Sequence, residues 1–247
     1  KNFQGQVTSS KMDENGHWLF LTVCLDNLTL ILLNIYGYNN PNQNKLLLEE
    51  ITLNLDHLKS LYSTNNVVIG GDLNLVQDEY YDKWPSKHNS SYPNKIFNNF
   101  CNEQNLVDVW RHLNPNCITF SWFSSNSKSR LDYWLITNEL LINDINSDIS
   151  AAPLTDHSLI SLQMKPQNWK PGANKYWKFN YSLLKNDTYC QKIKELIQNI
   201  KHSEELNDPV QKWEFLKYKI RQFSISFSKQ TKKELQRKEI DIIILYN

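Results

Sequence analysis

The chain has 247 residues, 27 Lys plus Arg against 26 Asp plus Glu, and a formal net charge of +1. That length lets one large domain, or one domain with a small appendage, bury a core without disulfides or a structural metal. With 40% hydrophobic and 21% charged residues the chain is neither disordered nor collagen-like, and its near-zero charge excludes a protein held on DNA by bulk charge alone.

Taken in chain order, His17 to Leu25 and Leu28 to Tyr36 are rich in Leu, Ile, Val and Thr around Asp26-Asn27, which predicts two strands joined by an Asx-rich turn. Leu47, Ile51, Leu55, Leu58 and Tyr62 then recur at helical spacing after Pro41-Asn42, one face of an amphipathic helix. Val67-Val68-Ile69 is a short β-branched run that reads as a buried strand ending in Gly70-Gly71. A shorter helix is expected over Asn94 to Gln104, and strands over Ile118 to Phe123, Leu131 to Ile136 and Leu159 to Met164. Strands with helices between some of them make the class α/β or α+β.

Near Pro166 the character changes. Pro166 to Gly172 reads as a linker, and helical patterns follow over Cys190 to Ile200 and Val210 to Phe223. The charge changes sign at the same place: residues 1–167 carry 11 basic and 17 acidic side chains, and residues 168–247 carry 16 and 9. The +1 total is thus a cancellation between an acidic domain of net −6 and a basic helical tail of net +7. We expect one domain over 1–166 and a linker-like helical region over 167–247. The scattered Cys24, Cys101, Cys117 and Cys190 form no C-x-x-C pair, so we expect free thiols, no disulfide partner and a reducing, intracellular compartment. No apolar run approaches the roughly 18 residues of a membrane span, so no membrane partner is expected. No signal peptide is recognised, and the start at Lys1 and the apolar end lead us to expect a chain cut at both ends.

Four polar groups stand at predicted strand ends. Tyr36 and Asn39 offer a phenol and an amide to an anion. In Gly70-Gly71-Asp72-Leu73-Asn74, glycine permits a tight strand exit, and Asp72 and Asn74 would share one side of an extended backbone. That pair could orient a water and hold a phosphoryl oxygen, although an ordinary strand exit has the same composition. In Ser129-Arg130-Leu131-Asp132-Tyr133, Asp132 faces opposite to Leu131 and Tyr133 and needs a partner. A histidine would serve, since the carboxylate fixes its tautomer; the alternative is a surface Arg–Asp pair. Asp156-His157 could supply a metal ligand and a general acid or phosphate contact, against the reading of an incidental turn histidine.

The ordered set resembles the endonuclease/exonuclease/phosphatase superfamily, and within it the apurinic-endonuclease-like endonuclease of LINE-type (non-LTR) retrotransposons. The resemblance runs from about Trp18 to Met164: Leu33-Asn34-Ile35-Tyr36, Ile69 to Asn74, Leu106 to Arg111, Thr119 to Trp122, Ser129 to Tyr133, and Asp156-His157. Trp177 to Asn180, Leu183-Leu184, Trp213 to Arg221 and the Lys-rich Lys229 to Lys238 are similar to the linker between such an endonuclease and its reverse transcriptase.

The resemblance implies a four-layer αββα sandwich, two packed mixed sheets with flanking helices, incomplete at the N-terminus and followed by a helical tail. It implies Mg²⁺-dependent phosphodiester hydrolysis, with Mn²⁺ as an alternative ion, nicking DNA in the nucleus for target-primed retrotransposition. Asp72 would position or deprotonate water, and Asn74 would hold a phosphate oxygen. His157 would contact the scissile phosphate with Asp132 orienting it, and Tyr36 would touch the phosphate. Asn39 would also contact the phosphate, Thr119 and Arg130 would touch the DNA backbone or support the site, and Asp156 would be the metal or water ligand. The family's strand Asn and principal Glu ligand have no counterpart before Trp18, so weak or lost activity is expected. Gly37-Tyr38 replaces the family's small residue and Pro, which implies a looser loop, while Thr155 keeps the hydroxyl usual before Asp-His. Two alternatives stand beside this reading: a dead element whose basic tail binds nucleic acid, RNA included, and a phosphatase or sphingomyelinase of the same superfamily.

Overall fold

The computed structural model describes residues 5–25, 28–86, 91–141, 144–165, 179–203 and 209–245, with side chains as far as Arg237. The Asp26-Asn27 turn and the Pro166 to Gly172 linker lie outside the described residues. The chain divides into two compact units, Lys1–Pro171 and Gly172–Asn247.

The first unit is built on a six-stranded sheet. Its strands are β1 (Gln6–Met12), β2 (Trp18–Leu25), β3 (Leu28–Tyr36), β4 (Val67–Asp72), β6 (Leu106–Asp108) and β9 (Asp132–Thr137), in the order β1-β2-β3-β4-β9-β6. Only β3 and β4 run parallel, and helix α1 (Pro41–Tyr62) makes their crossover. Such a crossover needs a dozen or more residues, which the amphipathic stripe supplies. Asn40 starts α1 by accepting from the Asn42 and Gln43 N–H groups, with Pro41 in the first turn, and Ser63 ends it in the left-handed region.

Strand alternation sorts the side chains between the two faces. Trp18, Phe20, Ile31, Leu33, Ile35, Ile69 and Leu135 are buried on one side. There they meet the buried stripe of α1 and helix α2 (Tyr92–Glu103), whose Phe97 meets the Tyr133 ring edge-on at 4.8 Å. On the other side Leu30, Val68 and Ile136 form a second core with Val109 and Leu140. Val109 opens the short helix α3 (Val109–Leu113). Onto this second core pack Ile145 of β10 (Asp144–Ser150) and Leu162 and Met164 of β11 (Leu159–Lys165), an antiparallel pair. Each fully buried aliphatic side chain contributes about 1.5–3 kcal/mol, so both cores bind layer to layer. This is the α/β sandwich expected from the sequence. Helices cover one sheet face and a second sheet the other; among the described residues that second sheet has two strands.

Three two-residue strands make a small separate sheet, β5 (Lys83–Trp84), β8 (Lys128–Ser129) and β7 (Trp122–Phe123), in the order β5-β8-β7. The strand expected over Ile118 to Phe123 shortens to Trp122–Phe123. Ser121 extends the contact with β8 by one residue: its N–H bonds to Ser129 O at 3.0 Å, while its hydroxyl takes up Asp132.

The second unit is a helical hairpin. Helix α4 (Asp187–Lys201) packs antiparallel on α5 (Pro209–Leu245), longer than the Val210 to Phe223 pattern predicts. Tyr189 is its hub: the ring stacks on Phe223 at 5.5 Å, and its hydroxyl lies 2.6 Å from Ser224 Oγ. No helix of the described residues is long and apolar enough to cross a membrane.

Candidate active site

The register places Tyr36, Asp72 and Asp132 directly opposite one another on β3, β4 and β9. All three lie on the sheet face that carries β10 and β11, at the end where the parallel strands β3 and β4 terminate. The double glycine makes this end possible. A Cβ on Gly70 would stand 2.5 Å from the Trp134 ring, and one on Gly71 would stand 2.0 Å from Ile35 O. Gly71 also has φ +137°, a conformation side chains rarely adopt.

His157 arrives from the turn before β11, anchored through an isolated bridge to Trp122. Its Nδ1 lies 2.9 Å from Asp132 Oδ2, and its Nε2 lies 4.0 Å from Asp72 Oδ2. Ser121 completes the arrangement. Its hydroxyl donates to Asp132 Oδ2 at 2.6 Å and accepts from the Leu131 and Asp132 N–H groups at 2.9 and 3.0 Å. Asp132 is thus held by backbone and hydroxyl, and it holds the histidine in turn. Thr155 Oγ1 accepts the His157 N–H at 3.2 Å and shapes the turn.

Electrostatics separate the two roles. Burial, reinforced by the facing Asp132 charge, pushes the Asp72 carboxyl up from the usual range, against the Asn74 N–H and His157, which lower it. Burial works against charged His157, but the hydrogen bond to Asp132 and the charges of Asp132, Asp72 and Asp156 outweigh it, so its pKa is raised. Asp72, Asp132 and His157 each bring one ligand atom within 4.8 Å of the others, the geometry of a cation site. Two carboxylates set against each other by strand pairing, one with its pKa raised, fit a bound hard cation.

Other residues expected at the site fall differently. Asn74 does not share the extended backbone of Asp72: it sits at φ +50°, its N–H donating to Asp72 Oδ1 at 2.9 Å and its amide to Gly37 O at 2.9 Å. The chain turns at once after β4, so the pair forms an Asx turn. Tyr36 is 56% exposed and stacks on His17, whose Nδ1 is 2.6 Å from Tyr36 O. Asn39 is exposed beyond it, and Thr119 is half-buried beside Cys117 Sγ at 3.5 Å.

Three expectations are corrected. Asp156 stands outside the Asp72–Asp132–His157 cluster; it is exposed, and its Oδ2 accepts the Trp122 indole N–H at 3.0 Å. Of the two roles expected of Arg130, DNA contact or support of the site, its burial fits support and not contact. It is fully buried, and its Nε and Nη2 bond to Asp82 Oδ1 and Oδ2 at 2.8 and 3.0 Å while Nη1 lies 2.5 Å from Asp108 Oδ2. Arg111 Nη2 reaches the same Asp82 Oδ1 at 2.6 Å. The Gly37-Tyr38 loop is not loose either. Buried Asn44 accepts the Tyr38 N–H at 2.7 Å, donates back to Tyr38 O at 2.6 Å, and reaches Leu73 O at 3.3 Å.

Sequence reasoning missed Ser121, Asn44 and Asp82. Asn44 had a signal, a polar residue three before Leu47 on the apolar stripe, whereas Ser121 and Asp82 had none that pattern could reveal.

Comparison with known proteins accords with this geometry. The family profile described as Endonuclease/Exonuclease/phosphatase family matches residues 32–157, from β3 to His157. A curated relative, the Transposon TX1 uncharacterized 149 kDa protein of Xenopus laevis, is 29% identical over 198 residues, 78% of this chain; the chain spans 15% of that protein's length. Among solved structures, a 3′ phosphatase (NExo) from Neisseria bound to product DNA hairpin has TM-score 0.49 at 17% identity, over 65% of this chain and 72% of that one. The endonuclease domain of TRAS1, a telomere-specific non-LTR retrotransposon, has TM-score 0.46 at 12% identity, over 64% and 69%. The profile takes in half of the chain, including Asp72, Asp132 and His157, and on that match the chain belongs to the Endonuclease/Exonuclease/phosphatase family.

Proposed function

We propose that the chain is the endonuclease portion of a non-LTR retrotransposon, which hydrolyses one phosphodiester of nuclear target DNA with the help of Mg²⁺ or Mn²⁺. The observation that carries this reading is the Asp72–Asp132–His157 cluster at the sheet end. A transposon protein among the sequence relatives supports the source, and the family supports hydrolysis at phosphorus. RNA contact by the basic tail draws no support from the relatives and is not part of the proposal.

Asp132 and Asp72 would hold the cation, which would neutralise charge on the phosphate and the leaving oxygen. Two carboxylates are few protein ligands, so binding would be weak and millimolar metal would be needed. Asp132 fixes the His157 tautomer with the proton on Nδ1, so Nε2 faces the site. In its charged form that nitrogen donates to a phosphate oxygen. Asp72, facing the same space, would orient the attacking water or take its proton. Attack forms one P–O bond and breaks the bond to the 3′ oxygen, leaving a 3′-hydroxyl and a 5′-phosphate.

The test is to nick duplex DNA with Mg²⁺ and offer the product to a polymerase with a labelled nucleotide. Extension from the nick supports the reading, and phosphate release from monoesters or lipids without nicking would favour the phosphatase alternative. A chain that does neither would be a relic.

A further inference from the structure

The small β5-β8-β7 sheet has a solvent face with its own chemistry. Trp84, Lys128 and Phe123 stand directly opposite one another across its three strands. All three are exposed, the two rings by 54% and 42%. Lys128 Nζ sits midway, 6.0 Å from the Trp84 ring centroid and 5.9 Å from that of Phe123. Neighbouring strands are about 4.8 Å apart, so the rings flank the ammonium at roughly twice that spacing. Phe120 meets Phe123 edge-on at 6.5 Å and fixes the tilt of its ring.

The opposite row of this sheet faces inward and joins the site. Ser129 is buried, and Trp122 bridges to His157. Phe123 N–H donates to Asp156 O at 3.0 Å, so the exposed face adjoins the turn that carries His157.

We propose that Trp84, Lys128 and Phe123 bind one step of unpaired DNA, each ring stacking a base and Lys128 taking the phosphate between them. Two rings with a cation between them match two bases joined by a phosphodiester. Aromatic rings accept any base by its face, and a duplex hides those faces in its own stack, so the platform selects an unpaired strand. A surrounding unit of net negative charge makes the lysine the local point of attachment. The inference rests on the nuclease reading, since it places a frayed or displaced strand beside His157.

Binding is measured on the whole chain by fluorescence anisotropy, with a labelled single-stranded oligonucleotide and its duplex, in EDTA so that no hydrolysis intervenes. Trp84→Ala and Phe123→Ala are each expected to weaken single-strand binding about fivefold or more and duplex binding far less. Trp84→Phe is expected to retain it. Lys128→Gln is expected to lower the single-strand salt slope by about 0.7. Any contact made by the basic helical unit would add to both forms, so the ratio of single-strand to duplex affinity is the readout. Thermal melting checks that these surface variants remain folded. Unchanged ratios in both ring variants, or equal losses for duplex, would overturn the platform. Nicking is scored separately: a chain that nicks but shows unchanged ratios loses this inference alone. One that binds through the rings but never nicks with Mg²⁺ loses the nuclease reading alone.

Discussion

Arg130→Met isolates the difference between a buried support and a DNA contact. The guanidinium neutralises Asp82, which is fully buried, and Asp108, which is nearly so; the Arg111 guanidinium pairs with Asp82 but touches Asp108 only through the backbone N–H. Methionine keeps much of the volume but leaves Asp108 without a counter-charge. Removing one partner of a buried ion pair costs about 3–5 kcal/mol. For a unit of this size each kcal/mol shifts Tm by about 2–4 °C, so a loss of about 6–20 °C is expected. The pH dependence gives a second signature. Burial already raises the Asp108 pKa, although the Arg130 charge lowers it, and losing Arg130 raises it further. A carboxyl with raised folded pKa binds its proton more tightly in the native state, so its contribution to stability is lost as pH rises. The Tm deficit of Arg130→Met should therefore shrink between pH 8 and pH 5. Circular dichroism melts at both pH values, with DNA binding measured alongside, decide the matter. A Tm change under 2 °C together with weakened DNA binding would refute the buried role.

Three further outcomes follow from particular contacts. Asp132→Asn removes the charge and the acceptor that outweigh burial at His157, so the His157 pKa should fall by NMR titration. In the unaltered protein the raised His157 pKa contributes stability that is complete below about pH 6.5, the unperturbed value, and is lost as pH rises through the folded value. The Tm difference between the parent and His157→Gln should accordingly be largest below that pH and close above it. Gly70→Ala first meets the Trp134 ring and should cost about 1–3 kcal/mol, recovered in part by Trp134→Leu; Gly71→Ala meets backbone and should have no such rescue in denaturant melts. Asn44→Ala leaves the Tyr38 N–H and O and Leu73 O without that partner. It should cost about 1–3 kcal/mol in urea unfolding and slow nicking by loosening the Tyr36 end.

Much of this protein was legible because pattern and local chemistry agree. The Val67-Val68-Ile69 run ending in paired glycines reads as a buried strand leading to Asp72, and it is one. The Leu47 to Tyr62 stripe reads as a helix because its buried face repeats at helical spacing. Asp132 reads as a carboxylate needing a histidine because Leu131 and Tyr133 alternate around it, and His157 stands there. What escaped depended on distant partners. Arg130 looks like any surface cation until Asp82, 48 positions away in irregular chain, is seen against it. Strand β1 carries Thr, Ser and Lys and is an edge strand whose pairing with β2 makes it visible. Strand β10 alternates Ile145, Ser147 and Ile149, a weak period that only its packing on Leu30 and Ile136 makes meaningful.

The proposed function requires a divalent-metal phosphodiesterase centre at Asp72, Asp132 and His157. Its most direct test is the nicking rate on supercoiled plasmid against Mg²⁺ concentration, for the unaltered chain and for His157→Ala. Slow nicking that rises with millimolar Mg²⁺ and falls about 10²–10⁴-fold in the variant is the expected result. Nicking that is independent of metal, or equal in the two proteins, would contradict it.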